Sequence, residues 1–147
     1  MPEGSWTGAS EGGGSARENV MVLRPVAMYR EMYQDRFQEL PSLSTAETGA
    51  VEPDRGRILE YMANVRAIFD VMEATPDLVA GEGWIEGGSS LYSDGVWIWR
   101  EDSLRYLAAG PLVLPAEFVA RVRGLDYTPG TFDTREPEFN AAFMSYF

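Results

Sequence analysis

The Asp94-Gly95 pair is the sequence feature that most restricts the fold. It lies between two runs of strand-forming residues, 90–93 and 96–99. Asp-Gly between such runs predicts a β-hairpin with a type I′ turn, because that turn needs positive φ at both central residues. Both faces of the second run are apolar, with Trp97 and Trp99 on one face and Val96 and Ile98 on the other. We therefore expect this strand to be covered on both sides.

The longest helical pattern begins near Pro53-Asp54 and runs to about Ala74. Its apolar residues recur at three-to-four spacing and are Ile58, Met62, Val65, Phe69 and Met72. Thr75-Pro76 ends the pattern, since the residue before proline avoids helical backbone angles. We interpret the apolar stripe as a face that packs on the core, with a groove for a partner helix as the alternative.

Shorter patterns flank this segment. Apolar residues from Val26 to Leu40 have helical spacing, and the run Val20–Leu23 before them is a candidate strand ended by Arg24-Pro25. Three short helices are predicted after the hairpin, over Asp102–Ala109, over Ala116–Arg123 and after Pro137, where the aromatic residues are Phe139, Phe143 and Phe147.

These elements predict a small single α+β domain, with helices packed on a short antiparallel sheet that contains the Asp-Gly hairpin. Residues 1–19 are rich in glycine, serine and glutamate, and we expect them to form a flexible tail. The domain is then expected to span residues 20–147, with an aromatic C-terminal segment.

Three residue types are missing from the chain. It contains no cysteine and no histidine, and all 12 basic residues are arginine. Thiolate nucleophiles, imidazole relays, lysine Schiff bases and zinc sites built on sulfur or imidazole are therefore excluded. We expect a protein that is not an enzyme and that carries no cofactor. A catalyst on this chain would depend on carboxylates, hydroxyls and arginine, and any metal would be an oxygen-bound Mg²⁺ or Ca²⁺.

The charge balance indicates the class of partner. Twenty-three acidic residues against 12 arginines give a formal net charge of −11. Such a field repels nucleic acid and anionic membranes and attracts basic proteins. The sequence has no apolar run long enough to span a bilayer and no signal-peptide pattern at Met1, so we expect a cytoplasmic location.

The candidate partner-binding residues lie in the middle of the chain. No basic residue occurs between Arg66 and Arg100. The acidic candidates there are Asp70, Glu73, Asp77, Glu82, Glu86 and Asp94, and the aromatic candidates are Trp84, Tyr92, Trp97 and Trp99. On the predicted helix, Asp70 and Glu73 would face the unfavourable end of the helix dipole, which points to a function for them. Alternatives are a solvated acidic face or a divalent-cation site for the acids, and core packing or carbohydrate stacking for the aromatics.

Three segments resemble those of a family. They are Ser93-Asp94-Gly95-Val96-Trp97-Ile98-Trp99, Leu104-Arg105-Tyr106 and Leu114-Pro115-Ala116-Glu117-Phe118. The combination resembles small acidic actinobacterial proteins of uncharacterised function, which carry an Asp-Gly-x-Trp-x-Trp hairpin and a Leu-Pro-x-Glu-Phe helix start. Size and acidity are also loosely similar to those of the immunity proteins that neutralise polymorphic bacterial toxins. The resemblance covers roughly residues 84–123 and implies no catalytic residues.

The leading hypothesis is a non-enzymatic, acidic protein-interaction module, of which an immunity-type inhibitor of a basic toxin is the most concrete form. In it, exposed edges of Trp84, Tyr92 or Trp99 anchor the partner. One alternative is a hydrolase that uses two facing carboxylates from the set Glu82, Glu86, Asp94, Glu101 and Asp102. Another is a subunit of a larger assembly, in which the aromatic segment 139–147 docks on a neighbour.

Overall fold

The structure is a computed structural model that describes residues 21–147. The predicted tail at residues 1–19 lies outside the described residues. The strands are β1 (Arg24–Pro25), β2 (Ala67–Phe69), β3 (Thr75–Pro76), β4 (Trp84–Ile85), β5 (Leu91–Ser93) and β6 (Trp97–Arg100). The helices are α1 (Arg55–Ala63), α2 (Glu101–Ala109), α3 (Ala116–Gly124) and α4 (Pro137–Met144). Two short 3₁₀ turns, Arg30–Met32 and Leu43–Thr45, connect β1 to α1.

The main sheet has the strand order β1-β6-β5-β2. Strands β5 and β6 form the predicted hairpin, and β2 pairs antiparallel with the other edge of β5. β1 instead pairs parallel with β6, through a bond from the Arg24 N–H to the Val96 carbonyl at 3.0 Å. The α+β class is confirmed, but the sheet is mixed rather than antiparallel, because β1 enters it in the same direction as β6.

The hairpin turn differs from the predicted type I′ turn. Gly95 has a φ of +96°, whereas Asp94 does not adopt positive φ. The Asp94 carboxylate instead accepts the backbone N–H groups of Val96 at 2.9 Å and Trp97 at 2.8 Å. In a regular tight hairpin a backbone carbonyl accepts the N–H at this position. Here the Asp94 side-chain oxygen accepts the Trp97 N–H instead. The turn is therefore shifted by one residue from the predicted position: Asp94 is its first residue rather than one of its two central residues.

Two hydrophobic clusters cover the two faces of β6. Trp97 and Trp99 belong to the larger cluster, which contains buried residues of α1, α2 and α3. Ile98 belongs to the smaller one, together with Leu23, Phe139 and other residues from both ends of the described chain. The prediction that β6 is covered on both sides is confirmed.

The long predicted helix is wrong beyond Ala63. α1 ends there, and residues 67–69 form β2, whose register places Ile68 opposite Tyr92 of β5. Sheet pairing prevails over helical spacing because the strand-prone residues Ile68 and Phe69 complete an edge of the central sheet. Asp70 and Glu73 therefore face no helix dipole, and the predicted cost of their placement is absent.

The predicted helix over 26–40 is also wrong, since only the 3₁₀ turn Arg30–Met32 forms there. The candidate strand before it is displaced as well, because β1 comprises Arg24–Pro25 rather than ending before them. Ala27 and Phe37 adopt positive φ, which breaks any continuous helix. The apolar residues with helical spacing pack on the two clusters individually.

The three short C-terminal helices are confirmed as α2, α3 and α4. The last one packs on its own chain: Phe139 and Phe143 are buried, and the Tyr146 ring stacks on Phe37 with centroids 5.2 Å apart. This intramolecular packing gives no support to docking of the aromatic segment on a neighbour. None of the helices within residues 21–147 has the length and hydrophobicity that a bilayer crossing needs.

Candidate functional site

The candidate site is an arm between β2 and β5, residues 70–88, which we name the acidic arm. At its centre is the two-stranded ribbon of β3 and β4, in which Thr75 is opposite Ile85 and Pro76 is opposite Trp84. The ribbon closes through a bond from the Asp77 N–H to the Gly83 carbonyl at 3.0 Å. The tip loop 77–83 is further ordered by the Asp77 carboxylate, which accepts the Ala80 N–H at 2.9 Å.

Six of the ten predicted partner-binding residues lie on this arm. Asp70, Glu73, Glu82, Trp84 and Glu86 are exposed, and Asp77 is half-buried. The Trp84 side chain is notable because 72% of its surface is exposed, whereas most large aromatic side chains of the protein are buried or half-buried. An exposed indole is a typical anchor for a protein partner, because it buries a large area at low entropic cost.

The arm also exposes three apolar side chains that the sequence argument did not assign to it. Met72 is 92% exposed, and Leu78 and Val79 protrude from the tip loop. The helical pattern puts Met72 on the buried stripe, but the helix ends at Ala63 and Met72 is exposed. Leu78-Val79 could have been identified as an apolar pair within a turn rich in glycine and acid.

The negative charge of the arm has no internal counterion among the described residues. No arginine of residues 21–147 forms an ion pair with the acids at 70, 73, 77, 82 or 86. Glu73 accepts a hydrogen bond from the hydroxyl of Ser89 at 3.3 Å, which leaves its charge in place. Arg100, the next basic residue in the sequence, points into the interior and bonds to Asp102. Within residues 21–147, the arm therefore presents an anionic field that no arginine of this range neutralises.

Three predicted partner-binding residues are buried and cannot contact a partner. Trp97 is 3% and Trp99 0% exposed, and the Trp99 indole N–H donates to the Met62 carbonyl at 3.2 Å. The prediction that an edge of Trp99 is exposed is therefore wrong. Trp97 and Trp99 lie on the face of β6 that α1, α2 and α3 cover, so these two rings are core residues.

Asp94 is likewise an internal residue. Besides the turn amides, its carboxylate accepts the Tyr61 hydroxyl at 2.7 Å and the Arg121 Nε–H at 3.0 Å. Burial raises the pKa of Tyr61, and the hydrogen bond to the Asp94 carboxylate raises it further. Asp94 thus connects the hairpin turn to α1 and α3. Tyr92, the tenth predicted residue, is half-buried and donates its hydroxyl hydrogen to Glu101 at 2.6 Å.

The base of the arm is attached to Asp102 of α2, which also forms a buried ion pair. The Arg100 guanidinium donates two hydrogen bonds to the Asp102 carboxylate, at 3.0 and 2.7 Å. Burial raises the pKa of Asp102, although the adjacent Arg100 guanidinium opposes the shift. The Asp102 N–H donates to the Gly88 carbonyl at 3.0 Å, and this contact holds the end of the arm against the start of α2.

The tip of the arm is fixed by Tyr106 of α2. The Tyr106 hydroxyl accepts the Leu78 N–H at 3.0 Å and donates to the Pro76 carbonyl at 3.4 Å. Tyr106 is almost fully buried, and burial raises the pKa of its hydroxyl. Both ends of the ribbon are thus attached to α2, which makes the exposed side chains of the arm a preformed surface.

The five acids considered for hydrolysis lie in separate environments. Asp94 and Asp102 each bond to a different buried or half-buried arginine, and Glu101 bonds to Tyr92 and Arg105. Glu82 and Glu86 are exposed on the arm. Within the part of the chain that the structure describes, no three acidic residues are grouped so that they could hold a metal ion. The arrangement gives no support to a pair of carboxylates facing across a cleft.

The sequence matches no protein-family model, and no curated protein or solved structure is significantly similar to it. Function must therefore be argued from the chain's own surface. Among the described residues, the acidic arm combines an exposed indole with carboxylates that form no ion pair with an arginine.

Proposed function

We propose that the protein is a non-enzymatic interaction module that binds a basic protein through the acidic arm. The observation that carries this proposal is Trp84, a largely exposed indole on an arm whose carboxylates form no ion pair with an arginine of residues 21–147. An immunity-type inhibitor that neutralises a basic toxin in the cytoplasm is the most concrete form of the proposal.

The exposed apolar residues supply the contact energy in this account. Trp and Tyr dominate the energetics of protein interfaces, because they bury a large area at low cost in side-chain entropy. On the arm, the Trp84 ring and the Met72 side chain are free to lose solvent-exposed area to a partner. Burial of an apolar surface contributes about 25 cal/mol per Å² before the costs of association are subtracted.

The carboxylates determine which partners the arm prefers. An uncompensated anionic patch raises the association rate of a cationic partner and disfavours acidic ones. Most of this effect lies in the association rate, because exposed ion pairs add little net affinity.

The attachment to α2 holds the arm in one conformation before it binds a partner. Binding to a preformed surface avoids part of the entropic cost of ordering a loop. The bonds from Leu78 to Tyr106 and from Asp102 to Gly88 hold both ends of the arm before any partner arrives.

A charge-neutralisation experiment tests the proposal, with a short fluorescein-labelled peptide of arginine, leucine and glycine as the probe. The arm variant removes four exposed carboxylates through the substitutions Asp70→Asn, Glu73→Gln, Glu82→Gln and Glu86→Gln. The matched control removes four exposed carboxylates elsewhere through Asp35→Asn, Glu39→Gln, Glu60→Gln and Glu138→Gln. Both variants lose the same total charge, so they separate the arm from the net charge of the chain.

The proposal predicts that the arm variant binds the peptide at least about tenfold more weakly than the wild type, while the control stays within about threefold. Trp84→Ala, which changes no charge, is expected to weaken binding by about tenfold or more. Equal losses in the arm and control variants would contradict the proposal, since the peptide would then respond only to overall charge.

A further inference from the structure

A groove runs beside the acidic arm, between the tip loop and the segment 43–48. Its volume is about 470 Å³, within the range of about 300–1,000 Å³ that is typical of ligand sites. The residues that form most of its wall are apolar or aromatic, and they are Leu43, Leu78, Val79, Tyr106, Pro111 and Leu112.

Both rims of this groove are held by hydrogen bonds. On the arm side, the Leu78 N–H donates to the hydroxyl of Tyr106. On the opposite side, the Glu31 carboxylate accepts the Leu43 N–H at 2.8 Å and the hydroxyl of Ser42. The groove is therefore part of the folded structure rather than a gap between mobile loops.

The charged side chain that lines the groove is acidic, although Arg30 precedes it in the sequence. Within residues 21–147, Glu31 is the only charged residue that lines the groove, and Asp77 adjoins Leu78 in the tip loop. The hydrogen bonds from the Leu43 N–H and the Ser42 hydroxyl hold the pKa of Glu31 below its ordinary value, so this carboxylate is ionised near neutral pH. An apolar wall with an anionic rim is complementary to an apolar side chain that has a cationic neighbour.

We infer that this groove receives a leucine-like side chain of the basic partner, with an adjacent arginine or lysine of the same segment near Glu31. The inference rests on the proposed function and adds a specific requirement to it: the partner segment must be apolar as well as basic. The exposed indole of Trp84 and the groove then contact the same partner, because Leu78 and Val79 belong both to the arm and to the groove.

Two peptides and two double variants test the inference. The first peptide contains arginine, leucine and glycine, and the second has serine in place of each leucine. The groove variant is Leu78→Gln with Val79→Gln, and the matched control is Met21→Gln with Val22→Gln, two exposed apolar residues that do not line the groove. Neither variant changes the charge, and circular dichroism checks that both remain folded.

The inference predicts that the wild type binds the leucine peptide at least about tenfold more tightly than the serine peptide, as burial of a leucine side chain implies. In the groove variant, the ratio of the affinities for the leucine and serine peptides is expected to fall by a factor of at least about five. The control variant is expected to keep the wild-type ratio. An unchanged preference in the groove variant would overturn the inference, as would an equal loss of affinity for both peptides.

The failure of the inference can be distinguished from failure of the proposed function. If the groove variant behaves like the wild type while the arm charge variant still loses affinity, the groove inference is wrong and the proposed function stands. If neither variant alters binding, both are wrong. If the wild type is a dimer and the groove variant a monomer in sedimentation velocity, the groove holds a second copy of the chain, which also overturns the inference.

Discussion

The backbone N–H of Leu78 donates a hydrogen bond to the side-chain hydroxyl of Tyr106, 3.0 Å away. The two residues are 28 positions apart in the sequence, one in the tip loop of the acidic arm and the other on α2. Through this bond a buried core residue fixes the position of the exposed tip loop.

Tyr106→Phe removes this bond and leaves the ring in place. We expect faster hydrogen exchange at the amides of the tip loop and a loss of about 1 kcal/mol in the free energy of unfolding. Tyr127→Phe, which removes a hydroxyl that bonds to Asp54, is the control and is expected to leave exchange in the arm unchanged. Unaltered exchange in Tyr106→Phe, measured by NMR, would show that the arm is held by other contacts.

Gly88→Ala is expected to disturb the base of the arm. A Cβ atom at this position would lie 1.8 Å from the Thr75 Oγ1 and 2.9 Å from the Thr75 Cβ, so β3 would have to shift. We expect a destabilisation of about 1–3 kcal/mol in urea unfolding. Gly130→Ala, where a Cβ would meet no atom within 4 Å, is the control with little expected effect. Equal stability of the two variants would contradict the close packing of Gly88.

Asp94 is predicted to stabilise the fold rather than to bind a partner. Asp94→Ala removes the acceptor of the turn amides and leaves Arg121 and Tyr61 without their buried partner. The expected loss is about 3 kcal/mol, at the lower end for a broken buried pair because Arg121 is partly solvated. Asp94→Asn retains an oxygen for the amides and should cost less. An Asp94→Ala protein as stable as the wild type in urea unfolding would contradict this role.

Asp54 is predicted to make part of the stability depend on pH. Hydrogen bonds from Arg123 and Tyr127 hold the pKa of Asp54 well below its ordinary value. Because the folded pKa is the lower one, the stabilisation is present above the unfolded pKa of about 3.9 and is lost as the pH falls through the folded pKa. The stability difference between wild type and Asp54→Asn should therefore be largest near neutral pH and narrow below about pH 4. A constant difference across this range in urea unfolding would contradict the assignment.

The sequence predicted the hairpin and the three C-terminal helices because their signals are local. Asp94-Gly95 and the prolines at 115 and 137 act within a few residues of the element they start or turn. The helix beyond Ala63 was predicted wrongly because residues 67–69 are held by a strand 24 residues further along the chain, at Leu91–Ser93. Helical spacing within a segment carries no information about such a partner.

Only part of the candidate site could be predicted from the sequence, because burial also depends on contacts between distant segments. The acids of the arm and Trp84 are identifiable from composition alone, since no basic residue occurs between Arg66 and Arg100. Trp97 and Trp99 have the same residue types as the exposed candidates but are buried, because three helices close over that face of β6. Asp94 is buried because its carboxylate bonds to Tyr61 of α1 and Arg121 of α3. The groove was not predicted, since its walls come from segments between Glu31 and Leu112 that only the fold brings together.

The central claim is that the acidic arm is the partner-binding surface, and NMR titration tests it most directly. The labelled protein is titrated with the peptide of arginine, leucine and glycine while the backbone amide shifts are followed. The account predicts that the largest shift changes cluster at residues 70–88 and at the groove residues Leu43 and Leu112, and that they weaken as salt rises. Shift changes spread evenly over the exposed acids, or centred on α1 and α4, would contradict it.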